Sequence, residues 1–383
     1  MPLRSGERRL IRMAHILLAG NYSLGMYRFR GDLISALLSA GHRVTVLLPD
    51  AEYADEIKSL GASLVMTPMD RRGMNPFRDL SLLGFYKKTF RELRPEVVVT
   101  YTIKPNIYAG RAAAALGIPF AANITGLGTA FERPGPLRTL VTLMYRSSLK
   151  RAGRVFFENS VNRQIFIERR IVREEQTVLL GGAGVNTEVF PLQPFSVRDK
   201  TDDSRFRFLF IGRVMREKGI DELLRAMRIL RDRGVGCVLD VVGITEEDYK
   251  AEFAEAAAEG WLCDRGFQKD VRPFIAGCDC FVLPSWHEGM ANTNLEASSS
   301  GRPVITTDIP GCREEVVPGV TGWLVPPKDA GALADAMEQA VRLDAAKLRA
   351  MGEEGRRYVT EHFDKKKIVA ETVSVINKLI KHD

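Results

Sequence analysis

Short apolar runs recur along the chain, separated by stretches in which apolar positions return at helical spacing. His15–Ala19 ("HILLA") reads as a buried strand. A loop runs from Gly20 to Met26, and an amphipathic stretch predicts a helix from about Arg28 to Ala40, closed by Gly41. Arg43–Leu48 is the next strand, and Val97–Tyr101, Phe120–Ile124, Arg154–Glu158 and Thr177–Leu180 continue the series. Strands alternating with helices imply βαβ units and a parallel sheet covered on both faces. Residues 191–205, "PLQPFSVRDKTDDSR", break the pattern; rich in Pro, Ser and Asp, they read as an interdomain linker. The alternation then restarts. Phe206–Ile211 is a strand, and Gly219–Asp232 a helix with Ile220, Leu223, Leu224, Met227 and Leu230 on one face. Val238–Val242, Cys280–Leu283 and Val304–Thr307 are further strands. The expected plan is an α/β domain over 1–190, the linker, a second doubly wound domain over 206–365, and a C-terminal helix over 366–383. Such sheets bind ligands at the carboxyl ends of their strands, which places a ligand cleft between the two domains.

A length of 383 residues suits two domains. Apolar content of 45% and charged content of 27% are those of a globular protein. No apolar run approaches the roughly 18–20 residues that span a bilayer. Met1 to Arg12 is basic without the apolar core of a secretory signal, and Met13, just before the first strand, is an alternative start. Five scattered cysteines, with no second pair to match Cys278-Asp-Cys280, predict free thiols and a reducing cytoplasmic compartment rather than zinc or disulfides. The net charge of +7 is uneven: residues 1–190 hold 27 Lys and Arg against 16 Asp and Glu, and the remainder 28 against 32. One half therefore faces something anionic. Nucleic acid lacks any supporting motif, whether zinc finger, helix-turn-helix or aromatic-interleaved RNA-binding sequence. A membrane surface remains.

Three glycine-bearing turns are candidates for ligand contact. Gly212-Arg213-Val-Met-Arg216-Glu217-Lys218-Gly219 lies at a strand-to-helix turn, where open backbone, a helix start and the charges of Arg213 and Lys218 suit a diphosphate; a solvated basic turn is the equal alternative. The first βα loop, Gly20 to Met26 with Gly25, offers N–H groups to the same phosphates but does not match G-x-G-x-x-G. Gly182-Ala-Gly184 reads as a tight turn in which Asn186 caps a short helix. In "HEGMANTNLEASSSGRPV", Glu288 and Glu296 stand with seven residues between them, after a strand and before a helix beginning near Asn292. Carboxylates so placed can accept from vicinal hydroxyls of a ribose and of a sugar ring; a single helix-capping glutamate would not require that explanation.

Together these residues resemble the retaining glycosyltransferases of family four, with a GT-B fold of two Rossmann-like doubly wound parallel-sheet domains. The resemblance covers nearly the whole chain, through "GRVMREKGIDELLRA", "GFQKDVRPFIAGCDCFVLPSWHEG", "NLEASSSGRPVITTDIPGCREEV" and "GVTGWLVPPKD". It implies that Glu288, Arg213 and Lys218 form the catalytic set, the two cations gripping the donor diphosphate. It implies that Glu296 takes the ribose hydroxyls and that Glu288 with the N–H groups of Gly289, Met290, Ala291 and Asn292 holds the transferred sugar. The backbone near Phe267 would contact uracil, and Gly25 the donor phosphates. No Asp-x-Asp stands at a strand end, so the expected donor is a UDP-sugar handled without metal or other cofactor. The last helix would cross back to the first domain. One departure is visible: many relatives carry a histidine in an N-terminal loop where "NITGLGTAF" has Thr125 before Gly126. That leaves any side-chain base in doubt, though a front-face mechanism needs none.

"VTYTIKPNIYAGRAAA" and "ITGLGTAF" look like the branch that extends saccharides on undecaprenyl diphosphate, which implies a polyprenyl-diphosphate-linked saccharide acceptor and, as best guess, N-acetylgalactosamine as the sugar moved. Lys104, Asn106, Thr125 and Gly126 become acceptor-side candidates, with helix capping the alternative for Lys104 and Asn106. Two helices bear on a membrane. After Asn75-Pro76, Phe77, Leu80, Leu83, Phe90 and Leu93, widened by Leu82 and Phe85, accompany Arg78, Lys87, Lys88, Arg91 and Arg94. Residues 137–154 combine Leu140, Val141, Leu143 and Met144 with Arg138, Arg146, Lys150 and Arg151. Either fits an anionic interface or a core with a solvated basic face; the charge of this half favours peripheral attachment to the cytoplasmic face of the inner membrane. A UDP-sugar epimerase of the same fold and a noncatalytic nucleotide-sugar-binding protein are the rival readings. A nicotinamide dehydrogenase lacks its glycine fingerprint.

Overall fold

The computed structural model describes residues 13–71, 73, 75–128, 131, 135–195 and 205–380. The basic N-terminal twelve residues and positions 196–204 of the expected linker lie outside them. Among the described residues the strands form two parallel sheets. The first runs β3-β2-β1-β4-β5-β6-β7, from β1 His15–Ala19, β2 Arg43–Leu48, β3 Ser63–Met66, β4 Val97–Tyr101, β5 Phe120–Ile124, β6 Arg154–Phe157 and β7 Thr177–Leu179. The second runs β10-β9-β8-β11-β12-β13, from β8 Phe206–Ile211, β9 Cys237–Val242, β10 Leu262–Asp264, β11 Cys280–Leu283, β12 Val304–Thr307 and β13 Gly322–Val325. The order reverses at β1/β4, where Ile16 pairs with both Val44 and Val97, and at β8/β11, where Phe208 pairs with both Leu239 and Cys280. Strands β1, β4, β9 and β11 are buried end to end, as expected of parallel sheets with helices on both faces.

Two compact units result. The first takes the chain through Leu180 and again from Lys367; the second is Gly181–Lys366. Residues 181–190, expected with the first domain, pack in the second because their backbone is bonded there. Val185 N donates to Phe363 O at 2.9 Å, and Arg356 Nη1 donates to Phe190 O at 3.0 Å. The start of the linker is tied down as well. Arg302 is fully buried, and its guanidinium donates to Ile275 O (3.0 Å), Ala276 O (2.7 Å) and Pro194 O (2.9 Å). Asn186 Oδ1 accepts from Glu188 N and Val189 N (3.1 and 3.2 Å), closing the turn expected there. The five cysteines are free, four of them buried.

Three expectations change. The first helix is Ser23–Ser39, beginning five residues earlier than Arg28, because Asp50 at the end of β2 accepts from Ser23 N at 3.0 Å and from its hydroxyl. Pro76–Leu93 is capped by Asn75 as expected (3.0 Å from Phe77 N), but Leu82, Tyr86 and Phe90 are buried in the core, leaving Phe77 and Leu80 exposed near its start. Pro136–Leu149 buries Val141, Tyr145 and Leu149 while exposing Leu137, Leu140 and Leu143 at 44%, 55% and 52%.

Candidate active site

The strand order places the glycine-bearing turn after β8 beside the loop after β11. The two are joined by backbone. Trp286 N donates to Glu217 O at 2.9 Å, and a Cβ on Gly219, whose φ is +75°, would lie 2.1 Å from Pro284 O. Only glycine tolerates both that conformation and that approach. A contact from the ring reinforces the join, Trp286 Nε1 donating to Glu222 Oε2 at 3.2 Å.

This junction brings Lys218 and Glu288 together. Lys218 Nζ lies 2.5 Å from Glu288 Oε1, with the side chains 16% and 12% exposed, and Ser285 Oγ donates to the same oxygen at 2.7 Å. A pair this sheltered is held by low local dielectric, and removing either partner leaves an uncompensated charge. Arg213, at the mouth of the same turn, is half exposed and donates to Glu246 Oε2 at 3.1 Å. The helix Asn292–Ser299 begins where expected, with Glu296 half-buried on it. Phe267 is 45% exposed in the loop after β10, following Gly266 at φ +58°.

Several other candidates already have partners inside the fold. Of the N–H groups read as sugar-holding, that of Ala291 already donates to Gly311 O (2.8 Å) and that of Asn292 to Met290 O (3.1 Å). Met290 and Ala291 are buried, as is Gly289. Gly25 sits in the first turn of the helix Ser23–Ser39 instead of a loop, and Asp50 already takes the Ser23 N–H, so that helix start carries its own anion. In the first unit, Lys104 pairs with Asp79 at 2.8 Å, and Asp79 also accepts from Tyr108 OH at 3.0 Å. Asn106 is fully buried: it accepts from Thr100 Oγ1 (2.7 Å) and donates to Asn123 O (2.8 Å), which removes it from the residues able to meet an acceptor. Thr125 and Gly126 follow β5 directly and are half-buried.

Glu315 was missed. It lies in the short turn Arg313–Glu315, 1% exposed, and accepts from Asn294 Nδ2 at 2.9 Å. Burial pushes its carboxyl well above the ordinary range, with the nearby Glu288 charge adding to the rise. Burial likewise pushes up the thiol of Cys312 beside it. Its sequence context, "CREEVV", reads as an exposed acidic turn, and nothing local distinguishes Glu315 from Glu314.

A buried cation–carboxylate pair at the switch point of a doubly wound sheet, with an arginine at its mouth, suits an anionic, hydroxyl-bearing ligand. Family models match both units: "Glycosyl transferase 4-like domain" over residues 25–182 and "Glycosyl transferases group 1" over residues 205–342. The chain belongs to the GT4-type glycosyltransferases. Arg213, Lys218, Glu288, Glu296 and Glu315 of this glycosyltransferase all fall within the second match. It is 26% identical over 339 residues, 84% of its own length and 89% of the other's, to the N,N'-diacetylbacillosaminyl-diphospho-undecaprenol alpha-1,3-N-acetylgalactosaminyltransferase of Campylobacter jejuni. Its fold is GT-B, two parallel-sheet α/β domains. A glycosyltransferase from Rickettsia africae superimposes with a TM-score of 0.79 at 18% identity, over 97% of this chain and 100% of that one. HepE of Anabaena, solved with UDP and glucose, gives 0.76 at 19% identity over 94% and 99%.

Proposed function

We propose that this glycosyltransferase is a retaining enzyme that moves a hexose or N-acetylhexosamine, N-acetylgalactosamine foremost, from a UDP-sugar to an undecaprenyl-diphosphate-linked saccharide. The observation that carries the donor side is the Lys218–Glu288 pair, 2.5 Å apart, with Arg213 beside it at the glycine turn after β8. Donor arrival offers Lys218 a diphosphate in place of Glu288 and frees Glu288 for the sugar hydroxyls. Arg213 and Lys218 then stabilise the charge that grows on the leaving diphosphate, a role that needs no metal. Losing one such electrostatic group costs about 2.7–4 kcal/mol of barrier, or 10²–10³ in rate. Glu296 takes the ribose, and the diphosphate oxygen itself accepts the proton of the incoming hydroxyl, consistent with Thr125 where relatives carry histidine.

The acceptor class is supported by likeness along 84% of the chain to an enzyme that acts on a diphospho-undecaprenol saccharide. It is supported too by the leucines exposed on Pro136–Leu149, whose basic neighbours Arg146, Lys150 and Arg151 suit an anionic bilayer. No described helix is long and apolar enough to cross a membrane. On this reading the protein works at the cytoplasmic face of the inner membrane.

UDP release from a panel of UDP-sugars, with and without a polyprenyl-diphosphate-linked saccharide, tests the proposal. Acceptor-dependent release from one donor, reduced at least 100-fold in Glu288→Gln, is expected. Turnover of donor without acceptor would point to the epimerase, and tight UDP binding with no release to a binding protein. Unchanged release in Glu288→Gln would remove Glu288 from the site.

A further inference from the structure

Beneath the Lys218–Glu288 pair lies a patch of polar atoms whose hydrogen bonds do not close. Glu315 Oε2 accepts from Asn294 Nδ2 at 2.9 Å, and the same nitrogen donates to Thr306 Oγ1 at 3.2 Å, which itself donates to Leu283 O at the end of β11. Glu315 Oε1, Asn294 Oδ1 and Asn292 Oδ1 are buried without partners. All three are acceptors if Glu315 is ionised. A proton on Glu315 removes one of these bare acceptors and supplies a donor where buried acceptors outnumber donors.

The charges around Glu315 point the same way. The groups facing it are Glu288 from the loop after β11, its chain neighbour Glu314, the Cys312 thiol, and the Tyr358 phenol from the helix Ala345–His362. The sheltered cation of the site, Lys218, is committed to Glu288. Among the described residues none forms an ion pair with Glu315, and an unpaired buried carboxylate is far costlier than the neutral acid.

The turn that carries Glu315 also seats the donor-site loop. Gly311 N donates to Glu314 Oε2 at 2.7 Å, and Gly311 O accepts from Ala291 N at 2.8 Å. A Cβ on Gly311 would lie 2.6 Å from Gly289 O and 2.8 Å from Glu288 O. The backbone of Glu288, Gly289 and Ala291 therefore rests directly on Gly311, four residues before Glu315.

We propose that Glu315 is a positioning residue of the donor site: as a neutral carboxylic acid it holds Asn294 and keeps the chain from Glu288 to Asn292 seated, and its ionisation unseats Glu288. This role rests on the donor site proposed above. Burial, the largest influence on the Glu315 carboxyl, holds it protonated far into the range where ordinary carboxylates are charged. The folded state then binds a proton that the unfolded chain releases. Stability from this source is complete below the ordinary carboxylate range and is lost as pH rises toward the titration of Glu315 in the fold.

Glu315→Gln, which keeps the shape and the neutral charge, tests the idea in the full chain beside the wild type and Glu315→Ala. In urea unfolding from pH 5 to 9, the folding constant of Glu315→Gln relative to wild type should rise about tenfold per pH unit until Glu315 titrates. A ratio that stays constant or falls overturns the proposal, the latter because the charged form would then be the stabilising one. In UDP release, Glu315→Gln should keep its rate on the alkaline side where the wild type loses it, and Glu315→Ala should raise the donor KM throughout. Identical alkaline limbs in wild type and Glu315→Gln overturn the positioning role. Should the wild type release UDP from no donor, the donor site itself fails and the positioning role with it, while the unfolding ratio still decides the protonation state.

Discussion

Asn106 shows how burial decides what a polar side chain does. It stands near the start of the helix Ile103–Leu116, where an exposed amide would serve a ligand. Instead both ends of its side-chain amide bridge the ends of β4 and β5, through Thr100 and Asn123, and its main-chain carbonyl accepts from Ser148 Oγ at 2.6 Å. Asn106→Ala strands Thr100 Oγ1 and Asn123 O in the core at about 1–3 kcal/mol for each group left bare, while the bond from Ser148 survives on the main chain. The urea midpoint should fall accordingly, while the acceptor KM of the folded fraction stays unchanged; a raised KM at unaltered stability would return Asn106 to the acceptor site. Residue type and motif singled out Lys218, Glu288 and Glu296 as candidates in the sequence. They did not reveal that Lys218 and Glu288 pair, because that contact is set by where β8 and β11 lie in the sheet. Nor did they reveal Glu315, because an acidic turn looks alike whether it faces water or is pressed beneath a neighbouring loop.

Among the elements, central strands were legible nearly to the residue: β1, β2, β4, β5, β8, β11 and β12 have the ends their apolar runs predict. Strands buried on both faces must be continuously apolar, and that is a strong local signal. Of the four edge strands, β3, β10 and β13 are short and mixed and were not predicted, while β7 was. Helical periodicity shows that a helix has an apolar face but not what covers it. On Pro76–Leu93 the core covers it from Leu82 onward; on Pro136–Leu149 a second stripe, Leu137, Leu140 and Leu143, is left outside. If that stripe enters a bilayer, Leu140→Glu with Leu143→Glu should reduce sedimentation with anionic vesicles at least about tenfold. Burying even one leucine is worth about 1.5–3 kcal/mol, more than the 1.4 kcal/mol of a decade. Because both side chains are exposed, the unfolding free energy in urea should change by no more than about 0.5 kcal/mol. Equal vesicle binding by the double variant would assign the stripe to something other than lipid.

At the scale of the whole molecule, the chain does not divide where its composition changes. The Pro- and Ser-rich stretch begins at residue 191, yet Arg356 and Arg302 bind the backbone from Thr187 to Pro194 into the second unit. Long-range arginine–carbonyl bonds of this kind leave no local trace in sequence. The first unit, in turn, is assembled from two distant stretches. Ile376 and Ile380 are buried with Ile16, Leu18, Val44 and Val97, Ile368 packs with Ala121 and Phe156, and Asn377 Oδ1 lies 3.0 Å from His42 Nε2. Three buried isoleucines at about 1.5–3 kcal/mol each approach the entire stability of an ordinary domain, about 5–15 kcal/mol. A chain ending at Lys366 should therefore lose amide-exchange protection in β1, β2 and β4 while β8, β9 and β11 keep theirs. The second unit, Gly181–Lys366, is complete in that chain, so on the proposed reading UDP affinity should persist while transfer is abolished. Undiminished protection in β1 and β2 would show that the first unit closes its core without the returning helix.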